Sequence, residues 1–182
     1  MKTFRCFLCC VSLLAFAAAA PPLFAGLPLK VGDRAPHVSG HDQDGKSWSL
    51  SSQLGKRVVL LYFYPKDDTA GCTAEACSLR DNMAAFKEAG VQVVGVSFDP
   101  KSSHQQFSFK YNLNFPLLAD TSGTIADAYG ARIGKDKTMD RRVSFLIGLD
   151  GRILHITESP DPTAHLKEMK AAVAQLKGKV SP

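Results

Sequence analysis

The sequence predicts an α/β fold in which a central sheet of mixed strand direction is flanked by helices. Three observations carry that expectation. Two apolar runs, Val58 to Tyr64 and Val91 to Phe98, have the length and the branched, aromatic content of strands buried on both faces. The stretches that follow them, Cys72 to Ala89 and Asp99 to Tyr111, carry helical patterns instead. A third apolar run, Val143 to Leu149, meets Asp150-Gly151 and returns as Arg152 to Ile156, which reads as a hairpin. Strand, helix and strand in succession imply a parallel crossover early in the chain, and the hairpin implies antiparallel pairing late.

Taken in order, the elements begin after an N-terminal segment of different character. Lys2 and Arg5 precede an apolar run from Cys6 to Ala20, then Pro21-Pro22 and the small-residue exit Leu23-Phe24-Ala25-Gly26. That is the layout of a secretory signal over residues 1–25, with cleavage after Ala25. The run is short of the ~20 residues a spanning helix needs. The expectation is therefore an exported, periplasmic protein with no stable membrane association once the signal is removed. Leu8 before Cys9, and the little apolar sequence ahead of it, argue against a lipid-modified cysteine. One domain is expected over residues 29–180. Its lead-in is turn-rich (Gly32, Pro36, Gly40, Asp44-Gly45), and Pro65 stops the first strand.

Asp67 to Gly71 read as a loop, and Gly90 ends the helix that follows. Asp99-Pro100 reads as a cap and first-turn proline for the next helix. Phe115 to Ala119 is a short extended piece, and Thr124 to Tyr129 a short helix. The last element, Pro162 to Lys177, sets Leu166, Met169, Val173 and Leu176 on one face for packing on the sheet.

The formal charge of +5 falls to +3 when Lys2 and Arg5 leave with residues 1–25, which contain no acid. The remaining bases are scattered, with no aromatic residues interleaving a basic stripe, so nucleic-acid binding is not indicated. Five cysteines become two, Cys72 and Cys77, because Cys6, Cys9 and Cys10 lie in the signal. A structural disulfide is the default for such a pair in an exported protein.

Helix geometry argues otherwise. At 100° per residue, Ala76, Leu79, Met83 and Phe86 fall within about 40° of Cys72, so Cys72 heads the buried face in the first turn. There the helix dipole and unpaired N–H groups favour the thiolate; such settings lower cysteine pKa values from about 8.5 to roughly 3.5–7.5. Cys77 lies about 140° round the helix, its Cα roughly 8–9 Å from that of Cys72, whereas a disulfide needs about 4.4–6.8 Å. A permanent bridge would break the helix; a transient one needs only its first turn to unwind. Thr69 in the preceding loop and Pro65 at the strand end bring a hydroxyl and an apolar wall to the same place.

The segment Tyr62-Phe63-Tyr64-Pro65-Lys66-Asp67-Asp68-Thr69-Ala70-Gly71-Cys72-Thr73-Ala74-Glu75-Ala76-Cys77 resembles the active-site segment of the peroxiredoxins, and most closely that of the peroxiredoxin Q or bacterioferritin comigratory protein subfamily. Pro65, Thr69 and Cys72 meet the Pro-x-x-x-Thr-x-x-Cys spacing, and a second cysteine five positions on is the subfamily's own feature. The likeness continues through Phe115 to Asp120, Ala128-Tyr129-Gly130 and Arg142-Val143-Ser144-Phe145-Leu146-Ile147, nearly to the C-terminal helix.

The resemblance implies a thioredoxin-like fold and reduction of hydrogen peroxide and organic hydroperoxides. Cys72 would attack the peroxide and become a sulfenic acid. Cys77 would resolve it as an intramolecular disulfide, and a thioredoxin-like dithiol protein would recycle it. Arg142 would be the active-site arginine, with Arg141 the alternative if the register slips, and Glu75 would position it. No metal or organic cofactor is expected, and a monomer is. Two departures stand out: Ala70 occupies a position where the subfamily usually has proline, and Ala131 to Asp140 is short and lacks an expected aromatic residue.

Two rival readings use the same thiols. An exported thioredoxin-like copper(I) carrier would need a histidine beside them, and His37, His41, His104, His155 and His165 show no ligand spacing. These read as surface or capping residues. A disulfide-exchange protein would ordinarily carry Cys-x-x-Cys, which is absent.

Overall fold

In a computed structural model, residues 28–134 and 138–177 are described. The segment expected to be the export signal lies outside them. Among the described residues, no helix is long and apolar enough to cross a membrane.

Two sheets form. The smaller pairs β1 (Ser39–His41) antiparallel with β2 (Ser47–Ser49). The larger has five strands: β3 (Val58–Phe63), β4 (Val91–Ser97), β5 (Leu117–Ala119), β6 (Val143–Ile147) and β7 (Ile153–Glu158), in the order β5-β4-β3-β6-β7. β3, β4 and β5 run parallel, and β6 pairs antiparallel with both β3 and β7. The expected early crossover and late hairpin are both present.

β3 occupies the centre because it buries both faces. Val58, Leu60, Tyr62 and Tyr64 enter one core; Val59, Leu61 and Phe63 enter the other. The first core is roofed by α1 (Ala70–Asp81), α2 (Met83–Glu88), α3 (Lys101–Tyr111) and α5 (Pro162–Lys177). The second is covered by α4 (Thr124–Tyr129) and the β1–β2 hairpin, whose Trp48 is buried. Gly95 on β4 keeps the layers close: a Cβ there would stand 2.9 Å from the Tyr62 ring and 2.7 Å from Leu117.

Several local expectations are corrected. The helix read from Cys72 to Ala89 begins at Ala70 and divides at Asn82, whose side chain donates to the Ser78 carbonyl and draws the chain out of helical geometry. Asp99 does not cap α3. Its carboxylate accepts from the Asp67 amide and the Ser97 hydroxyl, and Pro100 takes the cap position. His104 and His165 are wholly buried rather than on the surface, each holding a carboxylate. On α5, the most deeply buried residues are His165, Met169 and Val173, while Leu166 and Leu176 are half-buried, so the face lies turned toward His165.

Candidate active site

β3 and α1 meet at the loop Pro65 to Thr69, which holds the head of α1 over the sheet. Asp68 takes φ +56° there and ties the loop to the end of α3, accepting from Lys110 at 2.7 and 2.9 Å and from the Tyr111 hydroxyl at 2.6 Å. Those contacts hold the Asp68 carboxyl below its ordinary range, Lys110 contributing most. Inside the loop, buried Asp67 accepts from Tyr64 and Ser103 at 2.7 Å and lies 2.8 Å from Nδ1 of His104. The turn is thus anchored from within and without.

Cys72 is the third residue of α1 and 2 % exposed. Ala76, Leu79, Met83 and Phe86 are buried along with it, as the helical count predicts. The amides of the first turn have no partner four residues back, and Thr69 makes no side-chain cap. Unspent N–H groups and the positive end of the helix therefore converge near the sulfur.

Immediately ahead of β6, Arg142 completes the cluster. Its Nη2 donates to the Cys72 Sγ at 3.4 Å, and its Nη1 forms an ion pair with Glu75 one turn further along α1. Gly71 leaves room for that approach: a Cβ there would sit 3.5 Å from Nη2 and 3.0 Å from the ring of Pro162. Burial works against the Arg142 charge, yet the opposing charges of Glu75 and Cys72 raise its affinity for the proton overall. The other oxygen of Glu75 lies 2.6 Å from Nδ1 of His165, whose Nε2 lies 3.2 Å from the Thr157 carbonyl. The Tyr62 hydroxyl is buried without a partner, and burial, then the charges of Glu75, Asp67 and Cys72, push it well up, so it stays protonated.

Of the residues singled out from sequence, the fold brings Cys72, Arg142 and Glu75 together. Arg141 turns outward to Gly130 and Glu158 instead. Thr69 is exposed and spends its hydroxyl proton on the Lys66 carbonyl at 3.1 Å. Pro65 borders a cavity of about 250 Å³ with Lys66, Phe98, Asp99, Pro100, Thr138 and Met139. The segment that lacks an aromatic residue thus contributes Thr138 and Met139 to this wall. Cys77 is a half-buried free thiol on the intact α1. His165, which reads in sequence as a surface or capping residue, joins the cluster, and its spacing of four from Met169 is the signal that places it on the buried face.

The sequence model of the AhpC/TSA family matches residues 31–156. The chain belongs to the peroxiredoxins. It is 45 % identical over 143 residues to peroxiredoxin Bcp of Escherichia coli, a match spanning 76 % of this chain and 91 % of that one. The crystal structure of peroxidoxin BcpB from Mycobacterium tuberculosis superimposes with a TM-score of 0.76 at 33 % identity, covering 84 % of this chain and 99 % of that one. Xylella fastidiosa PrxQ gives the same TM-score at 26 % identity, over 86 % and 100 % of the two chains. This peroxiredoxin has the mixed sheet and flanking helices of the thioredoxin-like fold and groups with the Q or bacterioferritin comigratory type.

Proposed function

We propose that the chain is a thiol peroxidase in which Cys72 attacks hydrogen peroxide and organic hydroperoxides. The observation that carries the reading is the Arg142 guanidinium 3.4 Å from the Cys72 sulfur, at the head of a helix whose first amides are uncapped. The thiolate attacks one peroxide oxygen, the O–O bond breaks, and the other oxygen leaves as water or alcohol once it gains a proton. The uncapped amides and Arg142 stabilise the charge on that oxygen as it develops. In this reading Thr69 would release the Lys66 carbonyl to orient the peroxide, and Pro65 would restrict water beside it.

Cys77 then resolves the sulfenic acid. Its thiol displaces water from Cys72–SOH to give the Cys72–Cys77 disulfide, and a thioredoxin-like dithiol protein restores both thiols by exchange. The intact α1 keeps the two cysteines on different sides, so this step requires the head of the helix to unwind. The copper(I) reading has less support, because His165, in the cluster with Cys72, has both ring nitrogens engaged. The basic start and apolar run ahead of Ala25 support export, which would make the reductant a periplasmic dithiol protein.

Stopped-flow oxidation of the reduced chain by hydrogen peroxide, followed by thiol counting and peptide mapping, tests this reading. Rapid loss of both thiols with a Cys72–Cys77 link is expected. Cys72→Ser should abolish turnover; near wild-type activity in that variant would end the assignment. Cys77→Ser should permit one rapid oxidation and then stall with the dithiol donor, and undiminished recycling would refute its role.

A further inference from the structure

Behind Cys72 the ion chain runs past Arg142 and Glu75 to His165, which is wholly buried in the first turn of α5. Its ring nitrogens face two acceptors, Glu75 Oε1 at 2.6 Å and the Thr157 carbonyl at 3.2 Å. A carbonyl has no proton to give, so Nε2 carries a hydrogen. A second proton must then lie between Nδ1 and Oε1. An ion pair, with Nδ1 donating to the carboxylate, satisfies both contacts. Arg142 on the far oxygen of Glu75 further favours the carboxylate. The proton therefore belongs to His165.

The charges now alternate inward from the sulfur: Arg142 positive, Glu75 negative, His165 positive. Without the last of these, Arg142 and Glu75 neutralise each other, and a Cys72 thiolate would be a surplus charge in a buried site. With it, the cluster is neutral when Cys72 is ionised and carries +1 when it is not. Uncompensated buried charge is costly, so the arrangement favours the thiolate. Tyr62, held neutral, leaves the count unchanged.

We propose that His165 is a positioning residue whose imidazolium supplies the positive charge that the Cys72 thiolate balances, while its bond to Glu75 aims Arg142 at the sulfur. The proposal rests on Cys72 being the peroxide-attacking thiolate.

Two measurements on the reduced chain test it without peroxide. With ¹⁵N-labelled histidine, both ring nitrogens of His165 should show protonated shifts at pH 7; an unprotonated Nδ1 overturns the proposal. In a Cys77→Ser background, thiolate absorbance near 240 nm, lost on alkylation, reports Cys72 alone. His165→Asn, which keeps a donor but no charge, should lower the thiolate-to-thiol ratio roughly tenfold. Adding Glu75→Gln should restore most of that loss, because the Arg142 charge is then uncancelled. A ratio unchanged in His165→Asn, or a double variant no better than the single one, overturns it. Should the variants fail to fold, the ring-nitrogen measurement on the unaltered chain still decides. Slow peroxide oxidation with an intact imidazolium would refute the peroxidase reading alone, whereas a neutral His165 with fast oxidation would refute this proposal alone.

Discussion

Arg142 meets Cys72 through one nitrogen while its other arm is committed to Glu75, so the guanidinium has little freedom to follow the sulfur. A charged hydrogen bond of this kind contributes about 1.5–3 kcal/mol, equivalent to roughly 10–100-fold in the thiolate-to-thiol ratio. Arg142→Ala should reduce thiolate absorbance and the alkylation rate of Cys72 at pH 7 by that order; an unchanged thiol titration would count against the contact. Arg142→Lys should recover only part, because an ammonium cannot hold both partners in one plane. The place of Cys72 at the head of a buried helix face was legible from residue spacing, whereas Glu75 came only with the family likeness. Arg142 needed that likeness too. His165 lay in neither signal, because its partner Glu75 is 90 residues away and no local pattern reports so distant a pairing.

Among the elements, the strands of the large sheet were the plainest in sequence, because burial on both faces leaves unbroken apolar runs such as Val58 to Tyr64. The β1–β2 hairpin was read only as turn-rich. Its strands are three residues each and mostly polar, and Trp48 is the single apolar anchor. The division at Asn82 was missed because the apolar period continues through Met83 and Phe86 into α2, while the break comes from a side-chain bond that periodicity does not record. Between layers, Gly95→Ala should force the Tyr62 ring and Leu117 apart and cost about 1–3 kcal/mol. Urea denaturation would register this as a lower midpoint with an unchanged slope, and an unaltered midpoint would contradict the tight packing.

For the whole molecule, the response to pH turns on Asp140, which is wholly buried with neither carboxylate oxygen hydrogen-bonded. Burial first, then the charge of Asp120, pushes its carboxyl up to about 8; Arg132 opposes the rise, and Asp127 and Asp99 add to it. An unfolded aspartate titrates near 3.9. Between about pH 4 and 8 the folded chain therefore keeps a proton that the unfolded chain has released. Stability on this account falls as pH rises through that window, by at most ~1.4 kcal/mol per unit, and levels off above it. Asp140→Asn should flatten that decline, so its urea midpoint gains on wild type steadily from pH 5 to pH 8. Parallel curves for the two proteins would rule this out.

The threading of the chain sets an order in time as well as in space. Arg142 lies 70 residues beyond Cys72, and His165, on α5, lies 90 beyond Glu75. At about 5–20 residues per second, a ribosome adds those residues over some ~5–20 s after Cys72 itself is made. Through that interval the nascent chain carries Cys72 without Arg142 or the last helix. On the proposed reading the thiol acquires its chemistry only when the last helix docks, so an unfinished chain would be spared the oxidation that the finished one undergoes.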